Sequence, residues 1–153
     1  VRLYWDQAVY KKPGTRDEFP WHQDNGYTFI EPQAYLTCWV ALTDTDETNG
    51  CPCVLPGLHR HGTLHHDTTD LGHEIGLDST DSLSIPLKAG SIAIFSSLTP
   101  HRTGPNLSDK VRKSYILQYA PEGARRLISH TLTEEVNDES RQFLILKDGL
   151  AVD

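Results

Sequence analysis

Apolar runs rich in β-branched and aromatic residues recur along this chain, each cut short by clusters of Gly, Pro, Asn and Asp. That pattern restricts the fold to an all-β sandwich or barrel. Strands are predicted over residues 2–10, 21–30, 35–42, 53–56, 82–87, 91–96 and 113–119. In the third of these, Leu36, Cys38, Val40 and Leu42 alternate with Tyr35, Thr37, Trp39 and Ala41. Both faces are therefore expected to be covered, as in a sheet enclosed within a sandwich, and a jelly roll meets that demand. A single helical turn is predicted over residues 131–136, where Thr133 precedes Glu134 and Glu135. Residues 59–82 lack periodicity and read as a long loop of the kind used as a lid or binding loop. The tail, 137–153, is predicted to be irregular.

A length of 153 residues fits one domain, 1–153, large enough to bury a core. The net charge of −7 argues against a nucleic-acid partner, which would need a concentrated basic face. Cys38, Cys51 and Cys53 are odd in number, and Cys51-Pro52-Cys53 lacks the spacing and the second pair of a structural zinc site. They read as reduced thiols in a cytoplasmic protein. No apolar run approaches the roughly 18 residues of a membrane-spanning helix, and no signal peptide is visible, so no membrane partner is expected.

The residues with most chemical content are His22 and Asp24, with His101 far along the chain. On a strand, side chains two residues apart project from one face, so His22 and Asp24 would reach a common metal while Gln23 points away. Two imidazoles and a carboxylate make the facial triad that leaves one side of an octahedral iron open. Taken singly, a polar surface strand and a turn histidine after Thr99-Pro100 account for these residues as well. Arg112 carries a planar fork suited to a carboxylate, and Ser114, Ile116 and Gln118 share its predicted strand face; within the basic cluster Lys110, Arg112 and Lys113 only one need point inward.

The surroundings of these residues resemble the phytanoyl-CoA dioxygenase family. The likeness lies in Phe19-Pro20-Trp21-His22-Gln23-Asp24-Asn25-Gly26-Tyr27, in Asn49-Gly50-Cys51 leading to Leu55-Pro56-Gly57-Leu58-His59, and in Gly90-Ser91-Ile92-Ala93-Ile94-Phe95 running on to His101-Arg102-Thr103-Gly104. It is ordered and spans about residues 3–121. It implies a double-stranded β-helix, lacking part of the N-terminal region usual in the family, and an Fe(II)- and 2-oxoglutarate-dependent dioxygenase using O2 to hydroxylate a small organic substrate. His22, Asp24 and His101 would be the catalytic metal ligands. Arg112 with Thr103 would hold the distal carboxylate of 2-oxoglutarate, and Trp39 would line the co-substrate pocket. Gln7 and Tyr10, on the first strand, are further candidates for the pocket wall.

His59, His61, His65, His66 and His73 resemble metal ligands in composition, but they occupy the aperiodic segment, with no strand to fix their geometry. His59 is the one expected nearest the substrate entrance. Two other functions suit the same scaffold: a cupin-like metalloenzyme that does not use 2-oxoglutarate, and a non-catalytic jelly roll that binds a small molecule. Substrate identity and oligomeric state are not encoded in any motif here.

Overall fold

The computed structural model describes residues 1–33, 35–77 and 81–152. Its elements run β1 (Arg2–Lys11), β2 (Phe19–His22), the helical turn α1 (Asp24–Tyr27), β3 (Ile30–Glu31), β4 (Leu36–Ala41), β5 (Pro52–Val54) and a 3-10 turn (Leu58–His61). There follow β6 (Asp67–Thr69), β7 (Gly72–Glu74), β8 (Leu83–Ser84), β9 (Ile92–Ser96), β10 (His101–Thr103), β11 (Arg112–Ala120), β12 (Arg125–Leu127), β13 (Thr133–Glu135), β14 (Leu146–Lys147) and β15 (Leu150–Ala151).

Two antiparallel four-stranded sheets, β1-β11-β4-β9 and β2-β10-β5-β8, make the jelly roll that the apolar pattern predicts. The register Ile116↔Trp39↔Ala93 puts three inward side chains in one row across the larger sheet. They pack with Ala41, Val9, Phe95 and, from beside the smaller sheet, Ile85 and Leu87. Truncating a buried aromatic such as Trp39 costs on the order of 3 to 5 kcal/mol, so this row anchors the sandwich. A second cluster, Tyr4, Ile30, Tyr35, Ala120, Ala124 and Val136, seats the small sheet β13-β12-β3 at one end of the molecule.

The structure departs from expectation in five places, the last of them the faces of β4. The strand predicted over 21–30 stops at His22, because Asp24–Tyr27 turn helically before β3 begins. Residues 131–136 hold β13 rather than a helical turn: the backbone of Thr133–Glu135 pairs with β12, so tertiary pairing overrides a weak helical signal. The stretch 59–82 is not a bare loop, since it contains the 3-10 turn and the β6–β7 hairpin, although its residues 78–80 lie outside the described residues. The tail is partly ordered: Leu3 N–H donates to Phe143 O at 2.9 Å and Ile145 N–H to Val1 O at 2.8 Å, which covers the start of edge strand β1.

Strand β4 also differs in its faces. Thr37, Trp39 and Ala41 are buried, whereas Leu36 is exposed and Cys38 and Val40 are half-buried, so one face packs the interior and the other is only partly covered. Among the described residues no helix is long and apolar enough to cross a membrane.

Candidate metal centre and adjoining cavity

His22 closes β2 and His101 opens β10, and the two are register partners across the ladder. Directly opposed residues present their side chains to the same face, and here the imidazole centroids stand 4.1 Å apart. Asp24 joins them although the strand has ended. Gln23 keeps an extended backbone, φ −111° and ψ 142°, so the alternation of sides survives across that one residue. As expected, Gln23 points away from His22 and Asp24. Fully buried, it donates to Gly62 O at 3.0 Å and Leu98 O at 2.6 Å and accepts from Leu64 N–H at 2.7 Å.

The three groups converge. Asp24 Oδ1 lies 3.8 Å from His22 Nε2 and 3.7 Å from His101 Nε2, and all three potential ligand atoms fall within 4.8 Å of one another. His22 Nδ1 lies 2.8 Å from Pro20 O and His101 Nδ1 3.0 Å from Thr99 O. A carbonyl can only accept, so each Nδ1 carries the proton and each Nε2 offers its lone pair inward. Burial, then the neighbouring His101, holds the His22 pKa well below the usual imidazole range, which keeps it neutral as a ligand must be. The Thr37 hydroxyl donates to Asp24 Oδ2, leaving Oδ1 for the shared centre. An ion about 2.1 Å from each atom would set adjacent ligands about 3 Å apart, so the separations of 3.7 and 3.8 Å between Asp24 Oδ1 and the two imidazoles exceed that spacing by under about 1 Å. Among the described residues no second cluster of potential metal ligands is found.

Arg112 opens β11 with its side chain buried, while Lys110 and Lys113 are exposed, so one member of the basic cluster points inward. Ser114, Ile116 and Gln118 share its buried face. The guanidinium lies 5.3 Å over the Trp39 ring and donates from Nη1 to Ser114 Oγ at 2.8 Å. Its buried Nε has no partner, and no carboxylate pairs with it among the described residues. Burial lowers its pKa to about 10. Thr37, which fixes Asp24, and Trp39, which underlies Arg112, are two residues apart on one face of β4. That separates them by about 6 to 7 Å along the strand.

Thr103, on β10, faces Lys11, whose Nζ lies 3.4 Å from its Oγ1 and donates to Gly104 O at 2.5 Å. Lys11 is the register partner of Arg112. Burial first, then the adjacent guanidinium, lowers the Lys11 pKa to about 8. An unpaired guanidinium with a half-buried ammonium beside it makes an electropositive interior suited to a small carboxylate.

A cavity of about 380 Å³ opens from His22 and Asp24 and is walled by Tyr4, Trp5, Phe19, Tyr27 and Tyr35. Gln7 lines it, but Tyr10 does not and is 61% exposed. Arg112, Thr103 and Trp39 are not in its wall, so the anion-seeking interior and the open cavity are separate features. The histidines of the long segment divide. His59 and His61 belong to the 3-10 turn and do not line the cavity, and His65 pairs with Asp67 at the surface. His66 instead accepts from Gln23 N–H at 2.9 Å, and His73 packs on Tyr27 with centroids 4.7 Å apart.

Sequence reasoning passed over Thr37, Lys11, Tyr4, Arg126 and Arg141. Strand parity with Trp39 was a usable signal for Thr37. Arg126 and Arg141, which also line the cavity, belong to the segment where the pattern was weakest.

Comparison with known proteins gives the family of the chain. The phytanoyl-CoA dioxygenase (PhyH) family pattern matches residues 1–114. A phytanoyl-CoA dioxygenase of Arabidopsis thaliana is 32% identical over 115 residues, covering 71% of this chain and 41% of its own length. A methylphosphonate hydroxylase of Gimesia maris is 33% identical over 118 residues, covering 76% and 44%. The crystal structure of EvdO2 from Micromonospora carbonacea var. aurantiaca complexed with 2-oxoglutarate superposes with a TM-score of 0.70 at 29% identity, covering 88% of this chain and 54% of that one. The chain thus spans about half the length of the proteins it matches. With that match running from the first residue of β1 into β11, through the strands that carry His22, Thr37 and His101, the chain belongs to the phytanoyl-CoA dioxygenase family.

Proposed function

We propose that this chain is a single jelly-roll oxygenase domain that uses Fe(II), 2-oxoglutarate and O2 to hydroxylate a small organic substrate. The observation that carries the reading is the convergence of Asp24 Oδ1 with two inward-facing Nε2 atoms, each imidazole locked by a backbone carbonyl. Iron held by His22, Asp24 and His101 would supply the oxidising chemistry, with one face of its coordination sphere left for co-substrate and dioxygen.

The rest is the work of the chain. Arg112 would take the distal carboxylate of 2-oxoglutarate, satisfying an Nε that otherwise has no partner, and the Thr103 hydroxyl would donate beside it. The face of Trp39 would form the wall along which the co-substrate lies, while Phe95 packs against the His101 ring with centroids 4.6 Å apart. A jelly-roll metalloenzyme that dispenses with 2-oxoglutarate would have no use for a buried guanidinium without a carboxylate.

Titration of the purified chain with Ni(II), then with 2-oxoglutarate, tests the assignment calorimetrically. One metal should bind, 2-oxoglutarate should bind only once it is present, and His101→Ala or Asp24→Ala should abolish both; succinate should form in air when Fe(II) replaces Ni(II). Metal binding that survives either substitution would overturn the assignment of the triad.

A further inference from the structure

The cavity beside the triad has a second end with a chemistry of its own. Arg126 and Arg141 line it together with Tyr4 and Gln142, and these four also line an adjoining cavity of about 270 Å³ that touches neither His22 nor Asp24. The two arginines therefore stand where the two cavities adjoin, and of the two only the larger cavity reaches His22 and Asp24. Tyr4 feels both sets of charges: burial raises its pKa most, a hydrogen bond with Thr28 and then Arg126 and Arg141 lower it, and Asp24 raises it.

Each arginine makes one ion pair while its side chain stays partly exposed, 43% for Arg126 and 63% for Arg141. Arg126 is fixed by pairing of β12 with Ile30 on one side and Glu134 on the other, and its Nη2 meets Glu134 Oε2 at 2.5 Å. Arg141 sits on a turn whose Gln142 N–H donates to Asp138 O at 2.6 Å, and its Nε lies 3.3 Å from Asp138 Oδ2. Glu134 and Asp138 line only the adjoining cavity. A guanidinium has five N–H donors, so each arginine keeps donors beyond the one given to its carboxylate. Among the described residues, the sole carboxylate in the wall of the larger cavity is Asp24, which the proposed metal would engage.

Resting on the oxygenase reading, we infer that the substrate is an organic anion: an apolar, flat body stacked among Tyr4, Trp5, Phe19 and Tyr35, ending in a carboxylate or phosphoryl group paired with Arg126 and Arg141. The anion fixes one end, and the C–H to be oxidised falls at the other. Guanidinium groups give charge-assisted, directional bonds to such groups, while aromatic surfaces hold the body with little geometric demand.

The test uses three probes of similar size: phenylacetate, benzylphosphonate and the neutral phenylacetamide. Binding to the Ni(II)- and 2-oxoglutarate-loaded chain and to the metal-free chain is read by ligand-observed NMR and Trp fluorescence. Wild type should bind one or both anions at least about tenfold more tightly than the amide, as charge-assisted bonds outweigh neutral ones, and the two anionic arms tell carboxylate from phosphoryl. Arg126→Gln and Arg141→Gln should remove that preference while leaving amide binding and 2-oxoglutarate affinity unchanged, and Arg126→Lys should restore part of it. Equal binding of anions and amide by wild type would overturn the inference whatever the variants do. A parallel loss of 2-oxoglutarate affinity would also overturn it, by assigning these arginines to the co-substrate. Anion preference in a chain that neither binds metal nor turns over 2-oxoglutarate would sink the oxygenase reading alone.

Discussion

Replacing Arg112 with Met should make the free protein slightly more stable and leave it unresponsive to its co-substrate. Arg112 is 2% exposed, and burial lowers its pKa to about 10. At 1.36 kcal/mol per pH unit, that depression corresponds to about 3 kcal/mol of unrecovered desolvation. Against it stand the cation–π contact with Trp39, about 1 kcal/mol, and the hydrogen bond to Ser114, about 1 kcal/mol. The balance favours the apolar side chain by roughly 1 kcal/mol, or a rise of about 2 to 4 °C in melting temperature for a chain of this size. With Ni(II) present and 2-oxoglutarate at a hundred times its Kd, wild type should gain about 2.7 kcal/mol, a shift of about 5 to 10 °C. Losing one partner of a buried charge pair weakens binding by about 2 to 5 kcal/mol, so at the same concentration the variant should gain under about 1 kcal/mol. Differential scanning fluorimetry with and without co-substrate reads all four states. A variant that melts well below wild type without ligand, or that shows the full ligand shift, would refute the account of Arg112 as a cation kept unpaired for a carboxylate.

Two other substitutions probe the support of the site. Thr37→Val keeps the shape of the side chain but removes the hydroxyl that holds Asp24 Oδ2; Ni(II) affinity should fall about 10- to 100-fold, as for other groups that orient a metal ligand, with the fold intact by circular dichroism, and unchanged affinity would show that Asp24 needs no such support. Lys11 has a folded pKa of about 8 against an ordinary 10.5, so between those values the unfolded chain binds more protons and this group makes stability rise with pH. Urea titrations at pH 7.5 and 9.5 should show that increment in wild type and its loss in Lys11→Met, and an identical pH slope in both would contradict a desolvated ammonium at this position.

Much of this was legible from residue order because strand parity is local. His22, Gln23 and Asp24 take alternate sides through the extended backbone of a single residue, so the reading held even though the predicted strand broke. Arg112 was legible for the same reason, its whole face being set by the alternation through Gln118. What parity cannot reveal is long-range pairing. Residues 133–135 became a strand only because β12 lay alongside, and Arg126 reached the cavity through the same sheet. The burial of Lys11 follows from its apposition to Arg112, a contact about a hundred positions away in sequence with no local signature.

The buried amide of Gln23 has a consequence for any attempt to transplant this centre. The residue between His22 and Asp24 is a junction: it ties the backbone at Gly62, Leu64 and Leu98 to the segment that carries them, and its own N–H rests on His66. Gly26 lies so close to that imidazole that a Cβ there would collide with the His66 ring. Grafting His-x-Asp and a distal His onto another β-sandwich would therefore reproduce the ligands without the frame that aims them. The portable unit is larger and discontinuous: His22 to Gly26 together with the stretches from Gly62 to His66 and from Ser97 to His101, three pieces of chain that would have to be moved as one.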